Sequence, residues 1–164
     1  MHSMESKAHS WESIPRAVDG AVDGAQLLDD LVRLEVRLYA LVDARLRSET
    51  AHGLGRLEVL RTIARVPECR VSDLVTSLGI TVGAASKAAD RQVRDGFVIR
   101  TPHPEDGRSS ILVLTPSGHG VLDELLPALD GITTEVFAAA PVGEAELLRL
   151  GQTLRALRSS VETS

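Results

Sequence analysis

Apolar residues recur at intervals of three and four from about residue 25 to residue 47, at Leu27, Leu28, Leu31, Leu34, Leu38, Leu41 and Val42, with Asp and Arg between them. That spacing predicts a long amphipathic helix. Val32 and Val36 widen its stripe beyond what one neighbour covers, so the helix is expected to touch two partners. A second helix is expected over about residues 55–64, from Leu57, Val59, Leu60 and Ile63, with Pro67 breaking the pattern. A third, short helix is read from Ser72 as N-cap through Leu78, burying Leu74, Val75 and Leu78 and closing at Gly79, where a left-handed residue fits. The fourth segment, TVGAASKAADRQVRDG, opens at Thr81 as cap and stops at Gly96. Helix, short glycine-containing turn, helix is a helix-turn-helix arrangement, although any helical hairpin shares it.

The fourth segment carries more information than its length. At 3.6 residues per turn, Ala85, Ala88, Ala89 and Gln92 fall on one face and Ala84, Lys87, Arg91 and Arg94 on another. One side is small and mostly apolar and the other is basic, a stripe that a merely solvated face would also show. Residues 97–101 and 111–114 then read as two strands around the turn-forming run Pro104, Glu105, Asp106, Gly107. A helix-turn-helix followed by a β-hairpin is a winged helix. Thr115 caps the next helix with Pro116 at its first position, and Val121, Leu122, Leu125 and Leu126 continue it until Pro127, where a kink or interruption is expected. The pattern resumes to about Phe137 and breaks at Pro141 and Gly143. In the last helix Leu147, Leu150, Leu154, Leu157 and Val161 alternate steps of three and four, the narrow seam of a short coiled coil. Such a seam wants a partner, so both chain ends are expected to form a dimer interface, the alternative being an intramolecular helix pair.

The fold class is therefore mainly α with a small β-hairpin wing: a winged helix-turn-helix lobe plus a helical dimerisation region from the N- and C-terminal helices. The expected organisation is a lead-in over residues 1–24, a dimerisation helix over 25–50, the winged helix-turn-helix over 51–115 and C-terminal dimerisation helices over 116–164. Within the lobe, the recognition helix occupies about 81–95 and the wing about 97–115. The lead-in holds a tandem tetrapeptide, Ala17-Val18-Asp19-Gly20 and Ala21-Val22-Asp23-Gly24, whose Asp-Gly pairs favour turns.

Composition narrows the partners. The 164 residues suit one compact domain with its own core, and 43% hydrophobic content is ordinary for a globular chain. With 18 basic and 23 acidic side chains the net charge is −5, which excludes a uniformly basic coat and makes any polyanion site local. Aromatic residues are 2% of the chain, too few for a surface that stacks single-stranded bases, whereas readers of duplexes need none. Cys69 is the sole cysteine, so there is no intramolecular disulfide and no cysteine-rich zinc site; it reads as a small semi-buried residue, with a redox sensor as the alternative. No signal-like apolar segment opens the chain and no long apolar run interrupts it, so a soluble, cytoplasmic protein without membrane contact is expected.

Two stretches, RVSDLVTSLGITVGAASKAADRQVRDGFVIR and PEDGRSSILVLTPSGHGVL, resemble the MarR family of winged-helix transcriptional regulators. The second matches the family's wing signature, Asp-x-Arg then strand, Leu-Thr and a glycine-bearing helix start, here Asp106, Arg108, Leu114, Thr115 and Gly118. The resemblance covers roughly residues 25–160. It implies a homodimer on a pseudo-palindromic double-stranded DNA operator, with Leu31, Leu38, Leu147, Leu150, Leu154 and Leu157 at the dimer interface. Carried over by position, Thr81, Gly83, Ala84, Ser86, Lys87 and Arg91 face the major groove, Arg108 enters the minor groove, Asp106 braces it, and Ser109 beside it joins the DNA-binding set. An arginine at a hairpin tip suits the negative potential of a narrow A·T-rich minor groove, and Ser72 and Thr81 at helix starts suit phosphates.

The chain departs from the family where Gln92 replaces a core leucine, where Ala85, Ala88 and Ala89 are smaller than usual, and where Gly83 and Ala84 replace polar residues that often contact bases. Relatives often release DNA when a small phenolic or anionic effector binds between dimer helices and lobe. Tyr39, His52, Arg56 and Arg70 are candidates for such a pocket, equally well explained by surface or packing roles, and the effector is unknown. Cys69 is not at the near-N-terminal position of the peroxide-sensing relatives' cysteine. Of the rival readings, an enzyme finds no support: the five histidines are scattered without metal-ligand spacing, there is neither a phosphate-cradling loop nor a nucleophile elbow, and no cofactor is expected. A winged helix used only for protein association is the second, motivated by Gly83 and Ala84.

Overall fold

The computed structural model describes residues 22–103 and 109–162. The first 21 residues of the expected lead-in, and Asp106 and Arg108 of the wing, lie outside the described residues. The elements run α1 (Gly24–Thr50), α2 (Leu54–Arg65), α3 (Val71–Leu78), α4 (Val82–Arg94), β1 (Val98–Pro102), β2 (Ser110–Leu114), α5 (Pro116–Ala138) and α6 (Glu144–Glu162). This is a mainly helical chain with a two-stranded wing, as the hydrophobic pattern implies. It divides into two compact units, one ending at Tyr39 and one beginning at Ala40.

In the first unit the N-terminal part of α1 is capped by Asp23, whose carboxylate accepts from the Ala25 and Gln26 N–H groups at 3.0 and 3.2 Å. Asp29 and Arg33 pair across one turn at 2.6 Å. Leu28, Val32, Leu34 and Val36 stay exposed, while Leu31 and Leu38 are half-buried. The stripe read from the sequence is thus present on the helix.

The core of the second unit lies where α2, α3, α4, the hairpin and the start of α5 meet, around Leu60, Leu74, Ala85, Ala89, Val98, Leu112 and Leu122. All four apolar positions read for α2 are buried. The strands pair antiparallel with Val98 opposite Leu114 and Arg100 opposite Leu112, which turns Val98, Leu112 and Leu114 inward. The Leu112 N–H also donates to the Cys69 carbonyl at 2.7 Å, fastening the hairpin to the link between α2 and α3.

Two expectations at helix boundaries are corrected. The cap of α3 is Arg70 and not Ser72: the Asp73 carboxylate folds back to accept the Arg70 N–H at 2.7 Å, which starts the helix two residues earlier than a serine cap would. Of the kink or interruption expected at Pro127, the interruption is not found: α5 is continuous from Pro116 to Ala138. Proline removes one ladder hydrogen bond, and burial of Leu122 and Leu125 before it and Ile132 after it holds the two halves in one helix.

The junction of wing and α5 is close-packed. Thr115 accepts the Gly118 N–H at 3.0 Å, donates its hydroxyl to the Gly96 carbonyl at 2.7 Å, and donates its own N–H to the Phe97 carbonyl at 3.0 Å. Gly118 sits against that same Phe97 carbonyl, leaving no room for a side chain.

Candidate nucleic-acid interface

The turn between α3 and α4 depends on Gly79, whose φ of +63° is left-handed and closes α3. Thr81 then caps α4 by accepting the Ala84 N–H at 3.3 Å. Ala85, Ala88, Ala89 and Gln92 are buried, and Thr81, Gly83, Ala84, Lys87, Arg91 and Arg94 are exposed, with Ser86 half-buried between the two faces. The division of faces read from the spacing holds at the eight positions it assigned, Ala85, Ala88, Ala89 and Gln92 inside and Ala84, Lys87, Arg91 and Arg94 outside. Lys87, Arg91 and Arg94 make no ion pair among the described residues, whereas the intervening acid, Asp90, is taken up by Arg100 of β1 at 2.7 Å. The outward face of α4 therefore carries three cations that no acid pairs among the described residues.

Periodicity alone does not single out Val82, which is 68% exposed at the first turn of α4. A signal for it is nonetheless present in the chain: a β-branched residue next to the cap, ahead of the alanine face, has no core to enter. The start of α4 is thus apolar and small, and its last two turns are basic.

Burial of Gln92 is explained by a partner. Its Oε1 accepts from Arg56 Nε at 3.0 Å and its amide nitrogen donates to the Ala88 carbonyl at 3.4 Å. A leucine there would fill the space but leave the guanidinium without that acceptor.

At the neck of the wing the His103 N–H donates to the Ser109 carbonyl at 3.1 Å, and the Arg70 guanidinium donates to His103 Nε2. Ser109 is half-buried, its hydroxyl oxygen enclosed and without a hydrogen-bond partner among the described residues. Arg100 adds a bond to the Ser110 hydroxyl at 3.1 Å, so β1 is held both to β2 and to α4. Ser72 is exposed on the second residue of α3. Among the candidates for an effector pocket, His52 and Arg56 come together at 2.8 Å, but Arg70 is engaged with His103 at the wing instead. Tyr39 closes the first unit, exposed.

Cys69 is buried in the core, and burial, with the Asp73 charge as a lesser contribution, pushes its thiol up from 9.0 to about 11. A thiol held neutral in the fold but free to ionise when unfolded adds stability that is whole below pH 9.0 and falls away as pH rises towards about 11. Melting temperature should accordingly decline over that window, and a Cys69→Ala variant should decline less. A thiol reagent at neutral pH should modify the folded protein far more slowly than the chain in guanidinium. Equal rates would show Cys69 to be accessible.

In the second unit α6 presents its seam to solvent: Leu147 is half-buried and Leu150, Leu154 and Leu157 are 44%, 40% and 43% exposed. Among the described residues no helix is long and apolar enough to cross a membrane, and no three His, Cys, Asp or Glu side chains cluster as a metal site.

Comparison with known proteins bears on this arrangement. The MarR family model matches residues 54–110, the segment from the start of α2 to the start of β2. A curated relative, the HTH-type transcriptional regulator BilQ of Clostridium symbiosum, is 30% identical over 71 residues, 43% of this chain and 49% of that protein. The match thus spans about half the length of that regulator. Among solved structures, Sco3205 of Streptomyces coelicolor, a MarR family transcriptional regulator in complex with DNA, superposes with a TM-score of 0.72 at 21% identity, covering 90% of this chain and 92% of that one. BpsR of Bordetella bronchiseptica, whose DNA binding is regulated by 6-hydroxynicotinic acid, gives a TM-score of 0.71 at 21% identity over 81% of this chain and 98% of its own. These two likenesses are of fold.

Proposed function

We propose that this chain, whose residues 54–110 match the MarR family model, is a transcriptional regulator that binds double-stranded DNA sequence-specifically. In this reading it acts as a homodimer on a pseudo-palindromic operator, represses, and is released by a small-molecule effector. The observation that carries the reading is the outward face of α4, where Lys87, Arg91 and Arg94 stand exposed and unpaired among the described residues on the second helix of a helix-turn-helix. Thr81, Gly83, Ala84, Ser86, Lys87 and Arg91 would lie in the major groove, with Ser72 on phosphate and Ser109, Asp106 and Arg108 serving the minor-groove wing. Leu31, Leu38, Leu147, Leu150, Leu154 and Leu157 would close the dimer.

Fluorescence anisotropy against the DNA upstream of the chain's own coding region, repeated at several salt concentrations, tests this. A phosphate-contacting dimer gives affinity that falls steeply and linearly on logarithmic axes as salt rises. Weak binding indifferent to sequence and salt would favour instead a protein-association module, for which the exposed Val82 and the small Gly83 and Ala84 are the supporting surface. Arg108→Ala should lower operator affinity about tenfold, the weight of one charge-assisted contact, while leaving the dimer intact. Unchanged affinity would remove the wing arginine from recognition.

A further inference from the structure

Arg56, in the first turn of α2, meets four groups from other parts of the second unit. Its Nε donates to Gln92 Oε1 at 3.0 Å, one terminal nitrogen to His52 Nδ1 at 2.8 Å, and the other pairs with the Asp95 carboxylate. The guanidinium carbon lies 4.8 Å from the centre of the Phe97 ring, which also meets the His52 ring at 77° with 5.8 Å between centroids. Gln92 is 4% exposed, and Asp95 is the C-cap of α4. A carboxylate at a helix C-terminus faces the negative end of the dipole, so it gains from a cation placed there.

The buried face of α4 explains why such a clamp matters. Ala85, Ala88 and Ala89 offer no long side chains to interdigitate with α2 and α3, and a helix resting on alanines is poorly keyed against rolling about its axis. A planar guanidinium with donors in a fixed fork supplies the direction that the packing lacks. Resting on the DNA-binding reading above, we infer that Arg56 is a positioning residue for recognition: by gripping Gln92 and Asp95 it sets the roll of α4 and hence the register of Lys87 and Arg91. Gln92, the departure from a core leucine, is the acceptor that makes the grip possible.

The test compares the wild type with Arg56→Leu, Arg56→Lys and the double variant Arg56→Leu/Gln92→Leu. The single leucine leaves a buried amide oxygen unpaired and is expected to lower the melting temperature. The double variant replaces the polar pair by two apolar side chains and is expected to recover it. Three readouts are taken: melting temperature, hydrogen exchange of the amides of residues 92–96, and affinity for the selected duplex against a scrambled one. In the double variant the last turn of α4 should exchange about tenfold faster and the ratio of specific to scrambled affinity should fall about tenfold, with stability near wild type. Arg56→Lys should keep scrambled-duplex affinity and recover only part of the ratio, since an ammonium keeps the charge without the fork. Wild-type exchange and an unchanged ratio in the double variant would overturn the inference and leave Arg56 a packing residue. Should the wild type bind no duplex, the DNA-binding reading fails, and unchanged exchange at residues 92–96 would then overturn the clamp on its own.

Discussion

Leu150→Asp or Leu154→Asp converts the proposed dimer to a monomer and lowers operator affinity by about a hundredfold or more, because two half-site contacts no longer act as one linked event. Side chains alone support this expectation, without appeal to the family. Leu147, Leu150, Leu154 and Leu157 repeat at steps of three and four, and the last three are each at least 40% exposed in the single chain. The exposed leucines of α1 make a second apolar surface of the same kind. Apolar side chains left exposed at regular helical spacing in this way are normally covered by a partner. An aspartate placed in a desolvated leucine seam costs several times what the lost leucine contacts supply, so one substitution suffices. Sedimentation equilibrium decides: a variant that still sediments as a dimer would mean that the seam is satisfied elsewhere. Circular dichroism should show helix content retained, since α6 contributes no residue to the buried core of the winged helix.

Gly118→Ala should lower the melting temperature by roughly 5–10 °C, corresponding to about 2–3 kcal/mol for an overpacked site in a chain of this size. A Cβ at Gly118 would fall well inside van der Waals contact of the Phe97 carbonyl oxygen, and the obstacle is backbone, which cannot swing aside like a flexible side chain. That carbonyl already accepts the Thr115 N–H at 3.0 Å, so moving it also disturbs the cap of α5. Gly120→Ala is the internal control. It lies two residues along the same helix with open space where a Cβ would stand, and should stabilise by about 0.5–1 kcal/mol through helix propensity alone. If both alanines behave alike, close packing at Gly118 is not what the site requires. Because Phe97 leads directly into β1, the Gly118 variant should also bind DNA less well than its loss of stability explains.

These two positions differ in how far the sequence announced them. The leucine repeat of α6 was legible at once, since spacing alone carries it, but spacing does not say whether the partner helix belongs to the same chain. Gly118 was legible only as part of a motif: nothing in one sequence shows that the distant Phe97 carbonyl presses on it. The helices, the hairpin and both faces of α4 followed from periodicity because each depends on local side-chain order. The cap of α3 did not, because the Asp73 carboxylate, at the third helical position, folds back onto the Arg70 N–H and starts the helix ahead of Ser72. Pro127 does not interrupt α5, since tertiary burial on both sides outweighs one missing hydrogen bond. Gln92 stood out as an anomaly from the start, and its partner Arg56, 36 positions away, could be found only in three dimensions.

The cationic face of α4 also governs how an encounter would begin. The whole chain carries −5, yet Lys87, Arg91 and Arg94 project together from one helix. Such a charge distribution is a dipole set on an acidic body. It draws a polyanion in along one direction and repels it along others. Collisions on the wrong face are discouraged at long range, and those that succeed arrive already oriented. A DNA-binding protein of this design would sacrifice residence on random DNA and keep a fast, salt-sensitive capture at the face of α4.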